Sequence, residues 1–247
     1  MKYLFVCFCV FANNIFGQIT PVDSIQKDEP LRFKYQALII PAALIGYGVV
    51  GLESHTIRDI NEGANNELLE NIDDKFTVDD FSQYAPFLSV YALNAFGVKG
   101  KHNFKDRTII LGTAYLIMGG TVGVLKSTSN VMRPDGSSNN SFPSGHTATA
   151  FMGAEFLYQE YKDVSIWYGV SGYVVAAGTG FFRMYNSRHW LSDVAAGAGI
   201  GILSTKIAYW VHPLIKKHVF KDKEHTNGLV MPFYNGQSYG LSATITF

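Results

Sequence analysis

Apolar residues in this chain come in long blocks. After a polar stretch over 18–35, the blocks fall at 37–52, 85–98, 108–125, 147–159, 166–182 and 190–211. Most sit at or below the ~20 residues that cross a bilayer comfortably, yet each is long enough for a buried helix. Glycines such as Gly119, Gly120 and Gly123 would let helix backbones approach closely, a role ordinary helix packing accounts for. The pattern predicts an all-α helical bundle, multi-pass and at least partly embedded in a membrane. Near the C-terminus the period changes to two: Tyr239, Leu241, Ala243, Ile245 and Phe247 alternate with polar or small residues. With Asn235-Gly236 as a turn dipeptide, residues 227–247 read as a short β-hairpin tail. An outer-membrane barrel would need about eight such strands, and the sequence supplies two.

Composition narrows this picture. At 247 residues the chain is one large domain or two small ones, and twenty Lys+Arg balance twenty Asp+Glu. Nucleic acid is thereby disfavoured as a partner, since phosphate neutralisation needs a basic excess. A mean hydropathy of +0.08 lies between a soluble enzyme and a fully lipid-buried bundle. Both cysteines, Cys7 and Cys9, lie within the first eighteen residues. A chain processed after that point has no disulfide, no Cys-held metal and no catalytic thiolate.

Residues 1–17 read as a signal peptide or retained N-terminal anchor: a basic start, an apolar run over 3–11, and Gly17 at a plausible cleavage point. The helical domain then covers 18–226. Loops 99–107 and 216–225 each hold four Lys/Arg, against one and two acids, while 53–84 holds nine acids against two bases. The positive-inside rule puts the first two in the cytoplasm and the acidic stretch outside. A cleaved signal and a spanning 37–52 would contradict that, so either the signal is retained or 37–52 does not cross. Loops such as 53–84 and 135–141 are expected to select the head group, and Asp135–Ser141 is the one low-complexity patch, read as a flexible loop.

Three polar clusters sit at the edges of the apolar blocks. Lys126 and Arg133 are seven apart, about two helical turns, with Pro134 ending the helix beside Arg133. Two cations aimed at one place suit a phosphate, Arg as a planar fork and Lys as a point charge. Pro143-Ser144-Gly145-His146 leads into the next block, with Ser144 as N-cap and the first free helix N–H groups forming an anion site. In the third cluster, Arg183 precedes His189 and Asp193, which at i, i+4 share one helix face. A carboxylate fixing the imidazole tautomer frees the other ring nitrogen as base or nucleophile. Arg188 lies inside this motif and is not assigned to catalysis.

In order the clusters read K-x6-RP, PSGH and R-x5-H-x3-D, a combination that resembles the type 2 phosphatidic acid phosphatase superfamily over roughly residues 108–210. That superfamily also holds bacterial acid phosphatases and vanadium haloperoxidases. One departure is Phe182, where the family usually has serine before the arginine. The resemblance implies a phosphatase with no cofactor and no metal. His189 would attack phosphorus to form a phosphohistidine, oriented by Asp193, while His146 protonates the leaving oxygen and later activates water. Lys126, Arg133, Arg183, Ser144 and the Gly145 N–H would hold the equatorial oxygens. The substrate expected is a lipid phosphate or diphosphate at the periplasmic face of a bacterial inner membrane. Alternatives are a soluble periplasmic acid phosphatase, a haloperoxidase, or a non-catalytic membrane scaffold.

Overall fold

The computed structural model describes residues 35–70, 77–219, 227–234 and 239–246. The signal or anchor expected over 1–17, and the polar stretch up to residue 34, lie outside the described residues. A 3-10 turn at Tyr35–Leu38 opens into α1 (Ile39–Glu53), followed by α2 (His55–Glu70), α3 (Val78–Ser82), α4 (Ala85–Ala95) and α5 (Phe104–Ser129). Then come α6 (Gly145–Tyr161), α7 (Ile166–Tyr185) and α8 (Leu191–Val219). All six apolar blocks are helical. Beyond α8, strands β1 (Asn227–Tyr234) and β2 (Tyr239–Thr246) pair antiparallel, with Asn227 opposite Thr246 and Tyr234 opposite Tyr239.

The bundle is organised around α6, which packs against α4, α5, α7 and α8. Its sequence is apolar or small on almost every side, and Thr147–Ala150 and Met152–Leu157 are buried. Around it Val90, Ile110, Ala114, Met118, Phe156, Tyr161 and Ile200 form one continuous core. The closest helix crossing is α6 on α8. A Cβ at Gly197 would stand 2.4 Å from the Ser144 carbonyl oxygen, and one at Gly201 would stand 2.3 Å from that of Ala148. Only glycine permits that approach. By contrast, a Cβ at Gly119, Gly120 or Gly123 would meet nothing within 4 Å. The glycines singled out in the sequence are therefore not the ones at the contact.

Helices α5 and α8 are long and apolar enough to cross a membrane, and α1 with α2 makes a third candidate span bent by 94°. Large apolar side chains such as Leu116 and Val124 on α5 and Trp167 and Val174 on α7 face outward, as a lipid-facing surface requires. Both long helices join the same two ends. The basic loop precedes α5, where Asn103 caps the helix by accepting the Asp106 N–H at 2.8 Å. Lys216 near the end of α8 reaches Asp106 at 3.6 Å. At this end buried Glu160 accepts from Tyr209 and pairs with His102 Nδ1, both at 2.7 Å. The three polar clusters lie at the opposite end.

The acidic stretch 53–84 is largely helix rather than loop. After α1 the chain turns at Ser54 into α2, whose Asn61 donates to Ser192 Oγ at 2.9 Å and accepts the Ser192 N–H at 3.1 Å. Ser192 is in the first turn of α8, so α2 is held at the polar-cluster end.

Gly201→Val is expected to destabilise the fold by about 3 kcal/mol through overpacking against α6. Gly119→Ala should instead stabilise it by about 0.5–1 kcal/mol through helix propensity. Chaotrope unfolding of detergent-purified protein distinguishes the two.

Candidate active site

Ser144 caps α6 as its sequence suggests: it is buried, and its side chain accepts the Thr147 N–H at 3.5 Å. Its own N–H donates to the Asp193 carbonyl at 3.0 Å, fastening the start of α6 to the start of α8. A Cβ on Gly145 would lie 3.9 Å from Lys126 Cε, so the lysine stem passes directly over the first turn of α6. Lys126 Nζ donates to the Asn140 carbonyl at 2.6 Å.

His189 and Asp193 do not share a helix face. Helix α8 starts only at Leu191, and His189 sits on the turn before it, after Ser187 at φ 53°. Asp193 reaches back to accept the Trp190 N–H at 2.9 Å, one half of a capping box. The same oxygen, Oδ2, accepts from the Ser141 hydroxyl and lies 3.6 Å from His189 Nδ1. Ser141 Oγ is itself 3.5 Å from Nδ1. A proton on Nδ1 is thus aimed at both oxygens, which leaves the Nε2 lone pair for chemistry; catalytic contacts this long commonly tighten on binding. Burial drives the His189 pKa down to about 4 despite the pull of Asp193, and the charges of Arg183 and Lys126 add to the effect. The imidazole is neutral near pH 7.

Arg188, the residue before His189 in the chain, opens onto a cavity of about 410 Å³ lined also by Thr77, Asp79, Asp80, Arg133, His146, Arg183 and Asn186. Three guanidinium groups share it. Burial, then the charges of Arg183 and Arg188, lowers the Arg133 pKa from its ordinary value. Nε of Arg133 and Nε of Arg183 are buried without hydrogen-bond acceptors among the described residues. Buried donors left unmatched are costly, and an anion is the ligand that would satisfy them.

Two acids from α3 enter the same cavity. Buried Asp79 holds Arg183 Nη1 at 2.5 Å and accepts from Asn186 Nδ2 at 3.0 Å. Asp80, half exposed, lies 3.0 Å from His146 Nε2 and 3.7 Å from Arg183. Burial and Arg183 hold the His146 pKa below its ordinary value, against the opposing pull of Asp80 and Asp79. Oxygens of Asp79 and Asp80 and a His146 nitrogen fall within 4.8 Å of one another, a spacing a metal could use. Arg183 pairs with both carboxylates, at 2.5 Å for Asp79 and 3.7 Å for Asp80, so ion pairing accounts for the cluster.

The structure therefore brings Arg133, His146 and Arg183 to one cavity and links His189, Asp193 and Ser144 in a buried cluster, with Lys126 running over Gly145. Two further expectations are corrected. Arg133 is not helical: α5 ends at Ser129, because Asn130 takes the left-handed conformation at φ 50°. Asp135–Ser141 is tied down, since Asp135 bonds Arg188 at 3.1 Å and Ser141 is fully buried. Arg188, set aside in the sequence, lines the cavity. Phe182 packs on Phe181 and Tyr185, and Asp79 supplies the anchor for Arg183. Asp79, Asp80 and Ser141 are not among the residues the sequence singles out, since their contacts with Arg183, His146 and Asp193 are made only in the tertiary structure.

The sequence model of the PAP2 superfamily matches residues 107–217, the segment that carries all three clusters, so over that segment the chain is similar to that superfamily. Over 195 residues it is 37% identical to the lipid A 1-phosphatase of Porphyromonas gingivalis, a match covering 72% of this chain and 43% of that protein. The chain thus spans less than half the length of this relative. A shorter match, 34% identical over 76 residues, is to the bacitracin transport permease protein BcrC of Bacillus licheniformis, covering 30% of this chain and 35% of that one. In fold, the chain is similar to the transmembrane PAP2-type phosphatidylglycerolphosphate phosphatase of Bacillus subtilis. That alignment has a TM-score of 0.50 and 17% identity over 75% of this chain and 100% of that one.

Asp79→Ala leaves Arg183 buried without its carboxylate and is expected to cost about 3–5 kcal/mol of stability. Asp79→Asn, which keeps a hydrogen-bonding oxygen, should cost less. Parallel unfolding curves of the two variants check this.

Proposed function

We propose that the chain is a lipid phosphate phosphatase that works through a phosphohistidine on His189. The observation carrying this reading is the convergence of three arginines, two with unmatched buried donors, on one cavity, with a histidine kept neutral by burial next to Arg188 in the chain and within the field of Arg183. A neutral imidazole is the nucleophilic form, and Asp193 with Ser141 directs its Nδ1 proton away from the reacting atom. Arg133, Arg183, Lys126, Ser144 and the Gly145 N–H supply a fixed positive field for the equatorial oxygens of phosphorus. In the first step Nε2 of His189 bonds to phosphorus as the P–O bond to the lipid breaks, and His146 gives its proton to the departing oxygen. In the second, His146 takes a proton from water, which attacks the phosphohistidine and releases phosphate.

The lipid class is supported by the outward apolar faces of α5 and α7 and by the membrane proteins that share the fold. Lipid A carrying a 1-phosphate is the leading candidate, on the likeness to the Porphyromonas gingivalis enzyme. The site lies at the end of the bundle opposite the basic loop before α5 and the lysines ending α8. Under the positive-inside rule it therefore faces the periplasm from a bacterial inner membrane.

Phosphate release from a lipid A 1-phosphate, phosphatidic acid, an isoprenyl diphosphate and a soluble aryl phosphate tests the reading. Wild type should favour a lipid, and His189→Ala should lose at least about 1,000-fold in kcat. Release chiefly from the aryl phosphate would move the assignment to a soluble-substrate acid phosphatase. The pH profile of kcat/KM should be bell-shaped. Its rising limb lies near pH 4, where His189 loses its proton; its falling limb lies below about 6.5, where His146 loses its own.

A further inference from the structure

Helix α3 brings two consecutive acids to the site, and their surroundings give them different tasks. Asp79 is fully engaged by Arg183 and Asn186 and is buried. Asp80 faces the cavity, with one carboxylate oxygen 3.0 Å from His146 Nε2. Two lone pairs cannot share such a contact, so the proton of His146 must sit on Nε2, the nitrogen facing Asp80. The other charges on this imidazole come from α7, where Arg183 opposes protonation, and from Asp79, which favours it. Arg133 and Arg188 line the same cavity and add positive charge. Asp80 is the acid in direct contact with the ring.

We propose that Asp80 is a positioning residue for His146: its carboxylate occupies the place of the leaving-group oxygen, keeps the Nε2 proton in place, and yields that hydrogen bond when the phosphorylated ligand enters. The site then holds two histidine–carboxylate pairs in different surroundings. His189 is buried and neutral beside Asp193; His146 opens to the cavity beside an acid that favours its protonated form against burial and Arg183. This division of acid from base by environment is how one site runs both halves of a phosphoryl transfer. The inference rests on the proposed role of His146 as general acid.

It makes the effect of Asp80→Asn depend on pH. At pH 7 the variant should lose about tenfold in kcat/KM, because the falling limb moves about one pH unit toward acid. At acid pH below both falling limbs, where His146 is protonated in either protein, the loss should vanish. Asp80→Glu should restore most of the wild-type profile. A gain at both pH values would make Asp80 a plug that merely competes with phosphate, and an equal loss at both would make it structural; either overturns the proposal. The second readout is the ring titration of His146 by nitrogen NMR in the full chain, assigned with His146→Gln. An acid shift of its midpoint in Asp80→Asn supports the pairing even if no substrate is turned over, in which case the phosphatase reading alone fails. An unmoved midpoint overturns the pairing whatever the activity.

Discussion

The hydrogen bond from the Ser144 N–H to the Asp193 carbonyl is where the site and the fold meet. It exists because Gly197 and Gly201 let α8 lie almost in backbone contact with α6. With larger residues at those positions the helices would separate and the bond would be lost. The close crossing sets the start of α6, with its unpaired N–H groups, beside the turn that presents His189. Asp193 serves both purposes: its carbonyl secures Ser144, while its carboxylate accepts from Trp190 and Ser141 and faces His189.

Around that junction the charges are arranged in two depths. Buried Asp193 and Asp79 each fix one functional neighbour; Asp79 uses both oxygens on Arg183 and Asn186, and Asp193 uses Oδ2 on Trp190 and Ser141. Nearer the opening, Asp80 and Asp135 hold His146 and Arg188. Cations that would repel one another in an empty pocket are thereby kept in place by acids from elements far apart in sequence. Burial first, and then the charges of Arg183 and Arg188, lower the pKa of Arg133. A bound phosphate would relieve that repulsion, which is why electrostatics favours an anionic ligand here.

Much of the fold was legible because apolar runs report burial directly: each of the six blocks is a helix, and the Ser144 cap followed from the residue type and its place before a block. Helix α2 was less visible because its apolar positions are sparse. Ile57, Asn61, Ala64 and Leu68 do keep a helical spacing, but the face is interrupted by Asn61, whose partner Ser192 is 131 residues away. Pro134 suggests a helix that runs to Arg133, but Asn130 in the left-handed conformation has already ended α5. Ser141 was hidden in a polar patch whose composition resembles a flexible loop, and only the fold reveals that it is buried against Asp193. Asp79 and Asp80 carried no local pattern that could point to Arg183 or His146, because those contacts depend on tertiary structure.

The central claim is that His189 forms a covalent bond to phosphorus. Rapid acid-free quenching of the enzyme with a phosphorus-32-labelled lipid phosphate, followed by peptide mapping, tests it most directly. The account predicts label on the peptide containing His189, stable to base and lost in acid, and absent from His189→Ala. Phosphate release by wild type with no label trapped in protein, or turnover that persists in His189→Ala, would contradict it.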